Sequence, residues 1–133
     1  WISPYYQNPK TEINNILKLY NLLLKDEKNK MLISEYNFFS SILEEKLYSP
    51  SRTYDDISFP KKNSKYFARY KYFLTNIIKK NKINNIYIFE PIEITEDRLN
   101  FLVFNYISKN CFDLEQKELF LIILKTKSCS ELN

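Results

Sequence analysis

The 133-residue chain has no histidine and no glycine, a single methionine, a single tryptophan and two cysteines. Each absence excludes chemistry. Without histidine there is no Ser-His-Asp or Cys-His catalysis, no imidazole proton shuttle and no His-ligated metal. Without glycine there is no P-loop and no GxGxxG fingerprint, both of which need the backbone to approach a phosphate closely. An enzyme built on this chain alone would be left with carboxylates, lysine and tyrosine. No apolar run reaches the roughly 18 residues of a membrane-spanning helix, and no signal peptide is visible. The chain opens on Trp1 rather than Met, so it reads as a processed product or an excised piece, with any membrane anchor outside it.

What is present argues for a packed core. Aromatic residues make up 17% of the chain, which is unlike a disordered segment. The length fits one α/β domain over residues 1–133. The net charge is +4, and the cations are almost all lysine. Lys, Asn, Ile, Tyr and Phe are all frequent, the mark of an AT-rich coding sequence. The acidic residues are interspersed with the basic ones, so the charge reads as a solvated surface and no nucleic-acid partner is expected.

Residues 1–9, WISPYYQNP, have no period and read as an extended lead-in. A helix is expected from Lys10, with Ile13, Ile16, Leu17, Tyr20, Leu23 and Leu24 on one face. The charged stretch Lys25–Lys30 ends it. MLIS at 31–34 has a buried-strand pattern, and Tyr36 to about Lys46 reads as a second helix with Phe39, Ile42, Leu43 and Leu47 as its stripe. Residues 48–64 break all periodicity, and a loop of that length is usually functional or mobile. A strong helix follows to about Asn81, its stripe formed by Tyr66, Tyr70, Phe73, Leu74, Ile77 and Ile78, with Asn63 or Ser64 as cap. Ile86–Phe89 is a core strand stopped by Pro91. Thr95-Glu-Asp opens a helix burying Leu99, Leu102, Val103, Tyr106 and Ile107, with Asn110 closing it in the left-handed conformation. CFDLE alternates as a half-buried strand does, and Leu119–Leu124 is continuously apolar as a central strand is. Strands alternating with helices predict a small three-layer, Rossmann-like α/β sheet, mostly parallel, with a C-terminal antiparallel hairpin.

Cys111 and Cys129 flank that hairpin. A zinc site lacks its other ligands, so no metal is expected. A disulfide needs Cα atoms within roughly 7 Å. A tight turn at Gln116–Lys117 would set Cys111 opposite about Ile122 and leave Cys129 well past the pairing. A bridge then requires the tail to curl back, or an asymmetric loop. The other reading is a buried Cys111 and an exposed Cys129, and the spacing leaves both open.

KMLISEYNFFSS, SPSRTYDDISFP, KYFARYKYFLTNIIKKNKINNIYIF and the closing C…FLIILKTKSC together resemble the C-terminal region of bacterial multi-pass membrane glycosyltransferases. These use polyprenyl-phosphate sugars and are related to the protein O-mannosyltransferases and the lipid A aminoarabinose transferase. The likeness spans roughly residues 30–129 and is strongest at Arg52-Thr53-Tyr54 through Pro60 and at Tyr70–Leu74. It implies an extracytoplasmic, periplasmic-side domain of an inner-membrane enzyme that covers the active site or helps recognise the acceptor. The partners implied are the transmembrane portion of the same polypeptide and a polyprenyl-phosphate sugar or acceptor glycan. Catalytic carboxylates and any metal belong to the membrane part, so no catalytic residue and no cofactor is assigned here, and the isolated domain is expected to be inactive. An oxidising compartment would favour the disulfide.

Ligands of open α/β sheets sit beyond the C-terminal ends of parallel strands. That singles out Glu35 and Tyr36 after the first strand, Glu90 after the second, and the loop residues Arg52, Tyr54, Asp55 and Asp56. A guanidinium pairs with anions and tyrosine rings stack on sugars, which makes Glu35, Tyr36, Arg52, Tyr54 and Glu90 the candidate substrate-binding set. An ion pair of Arg52 with Asp55 or Asp56 is the structural alternative. Trp1, Tyr5 and Tyr6 suit a membrane interface. Two other functions stay open. One is a soluble Rossmann-like sugar- or nucleotide-processing hydrolase using Glu35 and Glu90 as an acid/base pair across a deep pocket with Arg52. The other is a basic nucleic-acid-binding module.

Overall fold

The computed structural model describes residues 8–55, 57 and 59–132. Trp1, Tyr5, Tyr6 and Asp56, and the expectations that fall on them, lie outside these. The elements in order are α1 (Pro9–Lys25), β1 (Lys30–Ile33), α2 (Phe39–Leu43), α3 (Phe67–Lys80), β2 (Asn85–Phe89), α4 (Glu96–Leu99), β3 (Phe112–Lys117) and β4 (Leu121–Thr126). A π-helical turn at Asn100–Phe104 extends α4, and a 3-10 turn at Lys109–Cys111 leads into β3.

The four strands form one mixed sheet in the order β1-β2-β4-β3. Only β1 and β2 are parallel; β4 runs antiparallel to both β2 and β3. This corrects the mostly parallel expectation. The hairpin is not an appendage at the rim: its second strand inserts beside β2 and contributes most of the sheet's pairings. Leu121–Leu124 are buried and central, whereas Leu119 stays exposed in the turn that precedes β4.

Side-chain alternation along the strands feeds two apolar clusters. Met31, Ile33, Ile86, Ile88, Ile122 and Leu124 join α3, α4 and the loop residues Tyr54 and Phe59 in the first. Leu32, Tyr87, Phe89, Leu121 and Ile123 join Leu19 and Leu23 of α1 and Phe39 of α2 in the second. Both sheet edges are occupied or broken. Outside β1, the Leu32 N–H donates to the Leu47 carbonyl at 2.9 Å and the Ser49 hydroxyl donates to the Leu32 carbonyl at 2.6 Å. On the other side, β3 is bulged between Leu114 and Gln116, and Asp113, Glu115 and Lys117 are exposed.

The helix ends follow the sequence where side chains set them. Asn8 accepts from the Lys10 and Thr11 N–H groups and starts α1. Thr95 accepts from the Arg98 N–H and starts α4. Ser64 accepts from the Tyr66 N–H just ahead of α3. Without glycine, left-handed backbone falls to other residues: among the described residues Glu44, Tyr48 and Lys82 have φ of 52°, 47° and 49°. Glu44 cuts α2 to five residues where a helix to about Lys46 was expected, and Ile42 is left exposed. Asn110 does not take the left-handed role; it sits in the 3-10 turn. Ile13, Leu17 and Leu24 of α1, and Tyr66 and Phe73 beside or on α3, are exposed rather than core. Those positions border each buried stripe, and a single helix face contacts the sheet, so the outer half of a wide apolar arc stays wet.

Cys111 and Cys129 are disulfide-bonded, with Cα atoms 5.2 Å apart. The expected turn at Gln116–Lys117 is displaced: the hairpin reverses through Glu118–Phe120, with the Glu118 N–H donating to the Leu121 carbonyl at 2.8 Å. Phe112 therefore pairs with Thr126, and the Lys127 N–H donates to the Cys111 carbonyl, which brings Cys129 within reach.

Candidate functional site

The parallel register pairs Ile33 with Ile88, so the same offset sets position 35 opposite position 90 where the two strands end. Ser34 turns the chain after β1 by accepting from the Tyr36 N–H at 3.1 Å. Beyond this end the five candidate residues divide between the two faces of the sheet.

On the α3 face lies a charged knot. Glu90 is 5% exposed, and its carboxylate accepts from Arg98 Nε at 2.7 Å. The same guanidinium donates through Nη1 to the Tyr54 carbonyl at 2.8 Å and lies 5.2 Å from the centre of the Phe101 ring. Burial pushes the Glu90 carboxyl above the usual range. Hydrogen bonding and charge from Arg98 pull it back in part, and the negative charge of Glu35 adds to the rise. Tyr54 is buried. Its hydroxyl donates to the Ser51 carbonyl at 2.8 Å and accepts from the Ser51 N–H at 3.1 Å. Burial holds this phenol protonated, with the charges of Glu90 and Glu35 pushing the same way. Tyr54, Phe59, Tyr70 and Tyr106 continue the knot as an aromatic cluster under α3.

On the α1 face, Tyr36 hydrogen-bonds through its hydroxyl to the buried Glu12 carboxylate and packs its ring 5.2 Å from that of Phe89. Beside it opens a groove of about 670 Å³, lined in part by Tyr36, Asn37, Ser40, Ser41, Ser51 and Arg52. Arg52 is exposed, and its backbone carbonyl accepts from the Asn37 side chain at 3.5 Å. The groove lies outside β1, between α2 and the 47–52 segment. Leu32, Phe39 and Leu47 form its apolar part.

The arrangement brings Glu35, Tyr54 and Glu90 into one electrostatic neighbourhood, and Tyr36 and Arg52 into one groove. The cation that meets Glu90 is Arg98, not Arg52. Arg98 was missed because it sits in a well-marked helix opening, where a first-turn arginine looks like surface. Its one signal was the spacing from Glu90 across the Pro91 turn.

A second polar cluster was also missed. Lys30 is fully buried at the start of β1, its Nζ donating to Glu45 Oε1 at 2.7 Å and to the Asp26 carbonyl at 2.5 Å. The Asp26 carboxylate accepts from Tyr87, Asn85 and the Lys28 N–H. Burial opposes its ionisation. The hydrogen bonds from Asn85, Tyr87 and Lys28, with the charge of Lys30, outweigh burial and hold it below its ordinary value. Within the run Lys25–Lys30 nothing in the sequence separates these residues from their solvated neighbours.

In chemical terms the groove offers hydrogen-bonding side chains and an aromatic ring. A guanidinium, serine hydroxyls, an amide and an aromatic ring are suited to a polyhydroxyl ligand. Neither Glu35 nor Glu90 lines it. Glu90 has its partner in Arg98 and does not share a pocket with Arg52, unlike the arrangement the hydrolase alternative needs. Among the described residues no cluster of carboxylates and thiols could hold a metal ion, and no helix is long and apolar enough to cross a membrane.

No protein family matches the chain, nor does any curated protein. Among solved structures it is similar to the C-terminal globular domain of an oligosaccharyltransferase from Archaeoglobus fulgidus. The TM-score is 0.47 and the identity 10%, over 85% of this chain and 97% of that one. Likeness of this extent identifies neither a family nor an activity.

Proposed function

We propose that this chain is an extracytoplasmic accessory domain of an integral-membrane glycosyltransferase that uses polyprenyl-phosphate sugars. Its role is to cover the active site or help recognise the acceptor, and it does not transfer sugar alone. The observation that carries the reading is the Cys111–Cys129 disulfide. Such bonds persist outside the reducing cytoplasm, which agrees with the side of the membrane implied by the resemblance at Ser49–Pro60 and Lys65–Phe89. The absence of histidine and glycine, and a groove built for binding, support a role without chemistry of its own. We read the helices on both sides of the mixed sheet as three layers, and the Tyr36–Arg52 groove as the contact for acceptor glycan.

The test is the polypeptide encoded ahead of Trp1, together with thiol labelling of the full-length protein in intact cells. Several apolar spans upstream and cysteines inert to a thiol reagent until reduced are expected. A start codon directly before Trp1, or cysteines that label without reduction, would overturn the reading.

A further inference from the structure

Residues 57–89 contain eight cations, Lys61, Lys62, Lys65, Arg69, Lys71, Lys79, Lys80 and Lys82, and no aspartate or glutamate. The interspersion of charge seen along the rest of the chain fails in this one stretch, which runs from the long loop through α3 and β2. All eight cations are exposed. None of them takes part in the ion pairs among the described residues, which use Lys18, Lys30, Arg98, Lys109 and Lys127 instead.

The helix dipole accounts for Lys79 and Lys80, which sit in the last turn of α3. It does not account for Lys65, Arg69 and Lys71, which lie before or near the start of the helix, where positive charge is disfavoured. The same outer face carries large aromatic groups in water: Tyr66 is 52% exposed, Tyr72 72% and Phe73 46%. Lys65, Arg69, Tyr72, Asn76 and Lys79–Lys80 follow one another at helical spacing on the side opposite the buried Leu74 and Ile78. A solvated lysine face needs no aromatic rings, and a protein-facing apolar stripe needs no unbroken run of cations. Cations interleaved with tyrosine and phenylalanine on one helix face suit the interface of an anionic bilayer, where rings enter the headgroup layer and lysines meet lipid phosphates.

We propose that the outer face of α3, with Lys61 and Lys62 ahead of it, is a docking surface for a membrane rich in anionic lipid. The helix would lie flat on the bilayer, and the Tyr36–Arg52 groove, on the α1 face of the sheet, would stay clear of it. The exposed stripe of α1, Ile13, Leu17 and Leu24, carries no exposed aromatic ring, and Lys18 beside it is paired with Glu118, so it lacks this combination. The inference stands apart from the glycosyltransferase reading, since it rests on charge and exposure alone.

The experiment is co-sedimentation of the 133-residue chain with phosphatidylcholine vesicles, with and without phosphatidylglycerol, at low and high salt. Binding only to the anionic vesicles, weakened by salt, is expected. Changing Lys65, Arg69 and Lys80 together to Gln should weaken it by about a hundredfold, at roughly fivefold per surface cation. Tyr72→Ser should weaken it further. The matched control, Lys10, Lys25 and Lys125 together to Gln, removes the same charge elsewhere and should change little. No binding, equal binding to neutral vesicles, or equal loss in the control variant would each overturn the proposal. So would tighter binding to a single-stranded oligonucleotide than to anionic vesicles, which would assign the face to nucleic acid. Lipid binding without upstream membrane spans would leave this proposal standing and remove the transferase one.

Discussion

Arg98 holds Glu90 and Tyr54 at once, its Nε on the Glu90 carboxylate at 2.7 Å and its Nη1 on the Tyr54 carbonyl at 2.8 Å. One side chain thereby ties the end of a central strand to the long loop on the same face of the sheet. Because Glu90 is buried, removing Arg98 leaves a carboxylate that is neither hydrated nor paired. Arg98→Ala should cost roughly 2–3 kcal/mol at neutral pH, after discounting for the partly exposed guanidinium. The pH dependence follows from the raised Glu90 carboxyl. A folded-state value above the unfolded one means stability is lost as pH rises through the interval between them. Without Arg98 that interval widens upward. Urea unfolding should therefore show a larger penalty for Arg98→Ala at pH 8 than at pH 4, and an equal penalty at both would refute the account.

Asp26 behaves in the opposite sense. Its folded-state carboxyl lies below the ordinary value of 3.8. Its contribution is therefore fully present above that value and is lost as pH falls through the folded one. Asp26→Ala should cost roughly 1–2 kcal/mol at pH 7 through its hydrogen bonds, allowing for partial exposure. The difference from wild type should shrink toward pH 2 in the same unfolding measurement.

Lys82 closes α3 in a left-handed conformation that glycine would adopt at no steric cost. The Lys82 N–H donates to the Lys79 carbonyl at 3.3 Å and the Ile83 N–H to the Ile78 carbonyl at 3.1 Å, with Ile83 and Ile78 both buried. This is the Schellman arrangement, with lysine where glycine is preferred. Lys82→Gly should raise stability by about 1 kcal/mol, seen as a higher melting temperature, while Lys82→Val should lower it.

The phenolic oxygen of Tyr70 is buried with no hydrogen-bond partner among the described residues. Burying an unpaired hydroxyl costs roughly 1–3 kcal/mol. Tyr70→Phe keeps the ring packing against Phe59 and Tyr106 and should be neutral to stabilising in thermal unfolding. A clear loss would mean that the hydroxyl has a role in the native state.

The disulfide closes a loop of sequence separation 18, for which chain entropy gives roughly 3 kcal/mol. Leu132 packs on the core just beyond it, and the Ser108 N–H donates to the Glu131 carboxylate at 3.1 Å. Changing both cysteines to Ser should lower stability by about that amount, and limited proteolysis should then trim the tail after Lys127 before it cuts elsewhere.

The elements that sequence pattern revealed are those fixed locally. Thr95 and Ser64 mark helix starts through their own side chains, and the Ile86–Phe89 and Leu121–Leu124 runs are too apolar to lie anywhere but inside. What pattern could not show is pairing direction. The alternation of helices and strands fits a parallel sheet as well as one into which the final hairpin inserts, and only the tertiary register of β4 against β2 decides. The same gap explains the divided site. Tyr36 follows β1 and packs with Phe89 on the α1 face, whereas Tyr54, inside the long loop, packs with Phe59 in the cluster on the α3 face. Long-range partners such as Arg98 for Glu90, or Lys30 for Glu45, carry no periodic signal at all.

The way the sheet ends at its two sides limits how this molecule can be joined to anything else. The 47–49 segment occupies the hydrogen-bonding side of β1, and the bulge and charges of β3 spoil the other side. A fifth strand, from another copy or from an extended peptide, finds no template. Partners must come to a helix surface or a groove, and association can form and break without any rearrangement of the backbone ladder.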